Sequence, residues 1–363
     1  MRIYDYEYND IQAGYYDRFF IDNDLSHYLY FDIETTGLSA RNSTLYLIGA
    51  LWFDNDTIHI RQWFNEDGYS EKELITAFDE FCISFSHLIH FNGTTFDIPY
   101  IHEKAAKHSI STQNLDSLIG IDVFKDIRAY KKYLMLDNMK LVTIEKFLNV
   151  ERKDNMTGGD LINVYQRYVA RPDDEKEHLL LLHNHDDILG LPKVCNILSF
   201  RALLEKPDIR INNIFHDTNE KKLVIEFELL DKCRLPKRLS YTDKNGIYIN
   251  ACSNAGTVII PVKSGVMKHF FKDYRNYYYL PLEDMAVHKS VSNYVDSDNR
   301  IKANKENCYV KKEDNFIICP DKSYSEAFCE DHNSRIIYRT IDSLINDNEE
   351  NRIEYTKAII KQM

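Results

Sequence analysis

No run of about 20 apolar residues, the length that spans a bilayer, occurs in this 363-residue chain. The first residues, Met1-Arg2-Ile3-Tyr4-Asp5-Tyr6-Glu7, lack the basic stretch and following apolar stretch of a secretory leader. These absences predict a cytoplasmic protein with no membrane partner. Cysteine is sparse. Cys82, Cys195, Cys233, Cys252, Cys308, Cys319 and Cys329 are odd in number, widely spaced and form no CxxC pair, which excludes a regular disulfide framework and predicts reduced thiols. Cys319, Cys329 and His332 carry metal-binding groups, but at a spacing that matches no common zinc pattern. Positive charge is also in deficit: 45 Lys and Arg against 57 Asp and Glu give a net charge of −12. That balance excludes attachment to duplex DNA through bulk electrostatics. It leaves nucleic acid open as a substrate, because screening over about 8 Å lets a local basic patch and bound cations dominate at a site.

What is present is an ordinary globular composition, 44% apolar and 28% charged, in a chain long enough for two domains. The most informative stretch is Tyr28-Leu29-Tyr30-Phe31-Asp32-Ile33-Glu34-Thr35-Thr36-Gly37-Leu38. Its alternation predicts a strand broken at Gly37, so that Asp32 and Glu34 leave the same face near its end. Two like charges side by side raise each other's pKa unless a cation neutralises them, and a hard divalent ion with oxygen ligands does so.

Residues 1–27, rich in Tyr, Asp and Asn, are expected as an N-terminal extension packed against the following domain. After the first strand, residues 43–53 and 57–64 read as two strands joined by an Asp54-Asn55-Asp56 turn, an antiparallel three-strand start. Ser70 before Glu71-Lys72-Glu73 predicts an N-cap for an amphipathic helix through Leu74, Phe78 and Phe81. A strand Leu88-Ile89-His90-Phe91 then ends in Asn92-Gly93, and a helix is expected from Asp97 to Ala106 with Pro99 in its first turn. Asp97 therefore falls at a strand-to-helix junction, where it can cap the helix or present a ligand. Lys125, Arg128, Lys131, Lys132 and Lys140 form a partly basic region that can contact phosphates or simply face solvent. An amphipathic run follows from Leu141 through Leu148, and Thr157-Gly158-Gly159-Asp160 is expected as a turn into a helix over 161–169. The next helix carries His183-Asn184-His185-Asp186-Asp187, in which His183 and Asp187 lie one turn apart on one face.

Asp32 and Glu34, then Asp97, then Asp187 stand in the order of the DEDD proofreading-type 3′-to-5′ exonucleases of the ribonuclease H-like superfamily. Phe31-Asp32-Ile33-Glu34-Thr35-Thr36-Gly37 resembles the first motif of that family, and Phe91-Asn92-Gly93-Thr94-Thr95-Phe96-Asp97-Ile98-Pro99-Tyr100 resembles the second. The resemblance covers roughly residues 25–200 and is close to an uncharacterised bacterial group of predicted ribonuclease H-like exonucleases. It departs at one point: His183 has a His where the subclass with this four-residue spacing carries Tyr, and position 182 of the other subclass's His is Leu182. His185 and Asp186 are the neighbouring substitutes for His183 and Asp187.

The resemblance implies an α/β fold, a ribonuclease H-like mixed sheet flanked by helices over 28–204. It also implies a metal-dependent nuclease, a 3′-to-5′ exonuclease on single-stranded DNA or RNA ends. Two Mg²⁺ or Mn²⁺ ions about 3.5 to 4 Å apart activate a water and stabilise the leaving oxygen in such enzymes. By that resemblance Asp32 bridges both ions, Glu34 and Asp187 hold the water-activating one, Asp97 holds the other, and His183 orients or deprotonates the water. Thr35 and Asn92 are the expected contacts to the terminal nucleotide. A catalytically silent nucleic-acid or protein-binding module and a structure-specific endonuclease are the alternatives on the same fold.

Residues 205–363 carry no catalytic motif. Runs at 223–229, 247–250 and 257–262, with turns such as Asn245-Gly246, predict a β-rich accessory domain that positions substrate or a partner. Lys268, His269, Lys272 and Arg275 beside Tyr274, Tyr277, Tyr278 and Tyr279 have the composition of a single-strand binding surface, or of aromatic core residues. Glu283, Asp284 and His288 follow them, and a last helix is expected over 353–362 after the polar run 347–351.

Overall fold

The computed structural model describes residues 1–9, 25–55, 57–230, 234–321 and 323–363, without the Asn293 side chain. Asp56 of the expected turn and Cys233 therefore lie outside the described residues. Two compact units result: Met1–Phe200 with Leu235–Lys237, and Arg201–Arg234 with Arg238–Met363.

The first unit is built on a six-stranded mixed sheet. Its strands are β1 (Arg2–Tyr8), β2 (Tyr28–Thr35), β3 (Leu45–Asp54), β4 (Thr57–Phe64), β5 (His87–His90) and β6 (Ile119–Asp122), in the order β1-β4-β3-β2-β5-β6. The β2, β3 and β4 strands are antiparallel neighbours, whereas β5 and β6 join parallel to β2. Part of the segment expected as an extension is the edge strand, with Arg2 opposite Phe64 and Tyr8 opposite Ile58. Its period-two alternation turns Tyr4 and Tyr8 to one face, where their hydroxyls meet Glu177 and His185 at 2.6 and 2.7 Å.

The helices of this unit that matter for the site are α1 (Glu71–Cys82), α2 (Asp97–His108), α3 (Leu141–Leu148), α4 (Gly158–Ala170) and α5 (Asp174–Val194). Ser70 stands at the N-cap of α1 but caps nothing with its side chain; its hydroxyl bonds Asp67 at 2.9 Å instead. The turn at 157–160 is already helical: Thr157 accepts from the Asp160 backbone and Asp160 from Thr157, a capping box that starts α4 at Gly158.

Alternation along β2 divides the core. Leu29, Phe31 and Ile33 face α1 and α2 in one cluster with Trp63, Phe78 and Ile101. The Phe31 and Phe78 rings stack with centroids 5.5 Å apart, and Trp63 meets Phe78 edge-on at 5.6 Å. Burying each such side chain contributes about 1.5–3 kcal/mol, which keeps the strand centred in the sheet. The opposite face packs Tyr46, Leu47 and Phe64 against Leu161, Tyr165, Leu180 and Leu181 of α4 and α5. Asp32 and Glu34 belong to this second face, beneath α5.

The second unit is β-rich. β7 (Ile209–Asp217), β8 (Lys222–Leu229), β9 (Leu235–Thr242), β10 (Tyr248–Ser253) and β11 (Ala255–Pro261) form a sheet in the order β7-β8-β11-β10-β9. Two three-stranded sheets follow in the chain. The last helix, α6 (Glu349–Gln362), starts earlier than expected and absorbs part of the polar run, because Asn348 caps it and Glu349 and Glu350 favour its positive end.

Candidate active site

Three elements converge at the carboxyl ends of the parallel strands β2 and β5. Strand β2 presents Asp32 and Glu34, the start of α2 presents Asp97, and α5 presents His183 and Asp187. All five line one open cleft of about 650 Å³, with Phe91, Asn92, Phe96, Phe124, Lys131 and Lys140 around it. Asp97 is the first residue of α2 rather than its cap, since Phe96 holds the cap position; its Oδ1 accepts from the Ile33 backbone N–H at 3.3 Å, which ties α2 to β2. One helical turn separates His183 from Asp187, and the imidazole Nε2 lies 3.6 Å from both Glu34 Oε1 and Asp187 Oδ2.

Burial sets the electrostatics. Desolvation, and then the charges of Asp187, Asp97 and Glu34, push the Asp32 carboxyl well above the usual range, with Asn184 opposing. Desolvation likewise raises Glu34 to about 8, where His183 opposes and Asp187 and Asp97 reinforce, and raises Asp97 to about 7 against its backbone hydrogen bonds. Asp187 is raised by burial, although His183 and Arg152 pull it down. Burial lowers the His183 imidazole, but Glu34, Asp187 and Asp154 outweigh it and hold the pKa above the ordinary value. A cluster that resists ionisation in this way is short of positive charge. One donor atom each from Glu34, His183 and Asp187, two carboxylate oxygens and an imidazole nitrogen, lies within 4.8 Å of the others; Asp32 and Asp97 stand outside that group.

The same shifts predict the pH dependence of stability. Glu34 has its pKa raised to about 8 in the folded chain against an ordinary 4.5, and Asp97 to about 7 against 3.8. Between these limits the folded chain keeps protons that the unfolded chain has released, so stability is greatest at the acid end and falls as pH rises. In chelator, the melting temperature is expected to drop between about pH 5 and pH 8.5, by an amount worth a few kcal/mol. Glu34→Gln should flatten the profile and Mn²⁺ should restore the alkaline end. Calorimetric melts across that range check this; an alkaline rise in the chelated wild type would contradict the buried cluster.

The supporting residues had no motif to announce them. Across the sheet, Asp32 pairs with Gly49 and Gly49 with Gln62 in one row. Helix α5 rests directly on that row: a Cβ on Gly49 would come within 1.9 Å of Ile188 Cδ1 and 2.1 Å of Asn184 Oδ1. Gln62 Nε2 donates to Asn184 Oδ1 at 2.8 Å, which turns the Asn184 amide so that Nδ2 donates to Asp32 Oδ2 at 3.0 Å. The available signal was a polar residue in the buried stripe Leu180, Asn184, Ile188, Leu191. On the other side, Asp154 Oδ2 lies 2.6 Å from His183 Nδ1, which leaves Nε2 to the cleft. Arg152 bonds Glu145 Oε2 at 2.9 Å, Asp154 at 3.3 Å, and Asp187. These two lie in a loop, where no periodicity marks them.

Other expected residues are placed elsewhere. The Thr35 hydroxyl donates to Gly37 O at 2.9 Å, spending its hydrogen bond on the turn, and Thr35 does not line the cleft, whereas Asn92 does. Asp186 accepts from the Lys153 and Asp154 backbone at 2.6 and 2.8 Å, so it holds the loop and is no substitute for Asp187. His185 meets Tyr8 on a different side of α5 from His183. Of the basic residues, Lys131 and Lys140 reach the cleft; Lys125, Arg128 and Lys132 are not among its lining. Cys319, Cys329 and His332 form no metal-binding group among the described residues. In the second unit, Tyr279 and Tyr309 donate to Asp284, Lys311 pairs with Asp284 at 2.5 Å, and Lys268 lies over the Tyr309 ring at 4.3 Å. Several of the expected stacking and phosphate groups there are thus partnered within the chain. His269 bonds Ala327 O at 2.8 Å.

Residues 29–199 match the family model described as the RNase_H superfamily. The first unit carries an RNase H superfamily domain. Beyond the domain itself, the chain is 24% identical over 299 residues to a DNA polymerase III PolC-type from Caldanaerobacter subterraneus subsp. tengcongensis, covering 71% of this chain and 20% of that protein. The chain therefore spans about one-fifth of the length of that relative. Among solved structures, a family B DNA polymerase from Pyrobaculum calidifontis aligns with 14% identity and a TM-score of 0.40, over 50% of this chain and 26% of that one. E. coli exonuclease I in complex with a dT13 oligonucleotide aligns with 10% identity and a TM-score of 0.33, over 62% and 55%. No helix among the described residues is long and apolar enough to cross a membrane.

Proposed function

We propose that this chain is a metal-dependent nuclease that hydrolyses phosphodiester bonds at single-stranded 3′ ends of DNA or RNA, a DEDD-type 3′-to-5′ exonuclease. The observation that carries the reading is the convergence of Asp32, Glu34, Asp97 and Asp187 with His183 in one cleft. Their raised pKa values support a site built for cations, and similarity to a PolC-type DNA polymerase supports nucleic acid as the substrate class. Asp32, Glu34, Asp97 and Asp187 would hold the metal, Mg²⁺ or Mn²⁺ by its hardness. Bound divalent ions supply an acidified water and charge stabilisation for the leaving 3′-oxygen.

The chain's own groups do the rest. His183 Nε2, equally distant from Glu34 and Asp187, faces the position a water would take between them and receives its proton. Asp154, on Nδ1, favours the imidazolium that results. Asn92 and the Phe91 and Phe96 rings border the space for the terminal nucleotide, and Lys131 and Lys140 border the space for its phosphates. Lys131→Ala with Lys140→Ala is expected to raise KM about tenfold, leave kcat within about threefold and reduce the salt slope of binding by about one to two. Titration of activity against salt and substrate checks this.

The deciding experiment follows end-labelled single-stranded DNA and RNA with purified protein in Mg²⁺, Mn²⁺ or EDTA. Stepwise loss from the 3′ end that stops in EDTA is the expected result. Binding with no hydrolysis under any metal would replace the nuclease with a binding module, and internal cuts would make it an endonuclease.

A further inference from the structure

The loop between α3 and α4 places a single guanidinium among three carboxylates. Arg152 Nη1 donates to Glu145 Oε2 at 2.9 Å and to Asp187 Oδ1, while Nη2 donates to Asp154 Oδ2 at 3.3 Å. Only 11% of the Arg152 side chain is exposed, and Glu145 and Asp154 are each 2% exposed, so the cluster is shielded from water. Two of the three carboxylates lead to the cleft. Asp187 keeps Oδ2 toward His183 while Arg152 occupies Oδ1. Asp154 holds His183 Nδ1 at 2.6 Å with the same Oδ2 that Arg152 binds. The third, Glu145, anchors the guanidinium from α3. Gly190 of α5 makes room for it, since a Cβ there would lie 2.4 Å from Glu145 Oε1. Loop position is fixed independently, because Asp186 accepts from the Lys153 and Asp154 backbone.

We infer that Arg152 is a positioning residue that sets the rotamers of Asp187 and, through Asp154, of His183, so that one side chain aligns a metal ligand with the proton acceptor. The inference rests on the nuclease reading for its kinetic consequence, but not for its metal-binding consequence. The guanidinium reaches Glu145 and Asp187 through one nitrogen and Asp154 through the other, a planar two-nitrogen span that a single ammonium nitrogen does not have. Groups that orient metal ligands in this way typically matter 10- to 100-fold for metal affinity or activity.

The test compares wild type, Arg152→Gln, Arg152→Lys and Arg152→Ala by calorimetric Mn²⁺ titration, melting temperature and single-strand hydrolysis. Arg152→Gln is expected to bind Mn²⁺ about 10- to 100-fold more weakly, and to lose about 10²-fold in kcat with KM within about threefold. Arg152→Lys should restore neither, and millimolar guanidinium chloride should return part of the kcat of Arg152→Ala. Should Arg152→Gln fail to fold, Asp154→Asn keeps the shape and should lower kcat about tenfold at constant KM. A lowered melting temperature with unchanged Mn²⁺ affinity and kcat would reduce Arg152 to a structural role and overturn the inference. Tighter Mn²⁺ binding would overturn it as well, making Arg152 a competitor of the ion. If the wild type hydrolyses nothing, the nuclease reading fails, while the Mn²⁺ titration still decides the role of Arg152.

Discussion

Asp32→Asn and Asp187→Asn are each expected to abolish hydrolysis, by about 10³-fold or more, in proteins that remain folded. Each substitution conserves shape and removes one negative charge from the cluster proposed to hold cations. Asp32 lies at the centre of that cluster, raised by burial and then by Asp187, Asp97 and Glu34. In the absence of metal its ionisation costs stability, so Asp32→Asn should melt higher than wild type in EDTA at alkaline pH. Asn184 can keep its hydrogen bond to the remaining carbonyl oxygen at position 32, which preserves the packing of α5. Asp187→Asn should gain less, because there a guanidinium partner is also lost. Hydrolysis assays beside melts with and without Mn²⁺ separate the two effects. Wild-type activity in either variant would remove the carboxylates from the chemistry. Melting below wild type for Asp32→Asn would show that the charge is structural.

Gly49→Ala should be nearly as damaging although residue 49 touches no substrate. The added methyl would meet Ile188 Cδ1 at 1.9 Å and Asn184 Oδ1 at 2.1 Å, closer than atoms can approach, so α5 has to lift from the sheet. Overpacking of this kind costs about 1–3 kcal/mol. A displacement of about 1 Å between β2 and α5 also separates Asp32 and Glu34 from His183 and Asp187, and misplacement on that scale costs about 10²-fold in rate. Ile188→Val removes the closer of the clashing atoms and should recover part of the stability in the double variant. Gly158→Ala, where a Cβ meets nothing within 4 Å, is the control. Denaturant melts and kcat for the four proteins test the argument. Gly49→Ala with undiminished kcat would show that the sheet and helix adjust independently of the site.

Local pattern determined a definite part of this protein. The alternation over 28–35 placed Asp32 and Glu34 on one face of a strand, and helical spacing placed His183 and Asp187 on one face of α5; both follow from bond geometry within a few residues. Asn92-Gly93 and the helix after it put Asp97 at a strand end. Tertiary structure decided which of the neighbouring side chains, His183 against His185 and Asp187 against Asp186, faces those carboxylates, because that depends on which side of α5 meets the sheet. It also chose Lys131 and Lys140 from a longer basic run and withdrew Thr35 into a turn. Gly49, Gln62 and Asn184 were beyond reach for a related reason. Their alignment with Asp32 is a register between strands and a helix far apart in the chain, and only the closed packing of both faces sets it. Arg152 and Asp154 lie in a loop whose path has no period to read, so their approach to Asp187 and His183 is a property of the folded chain alone.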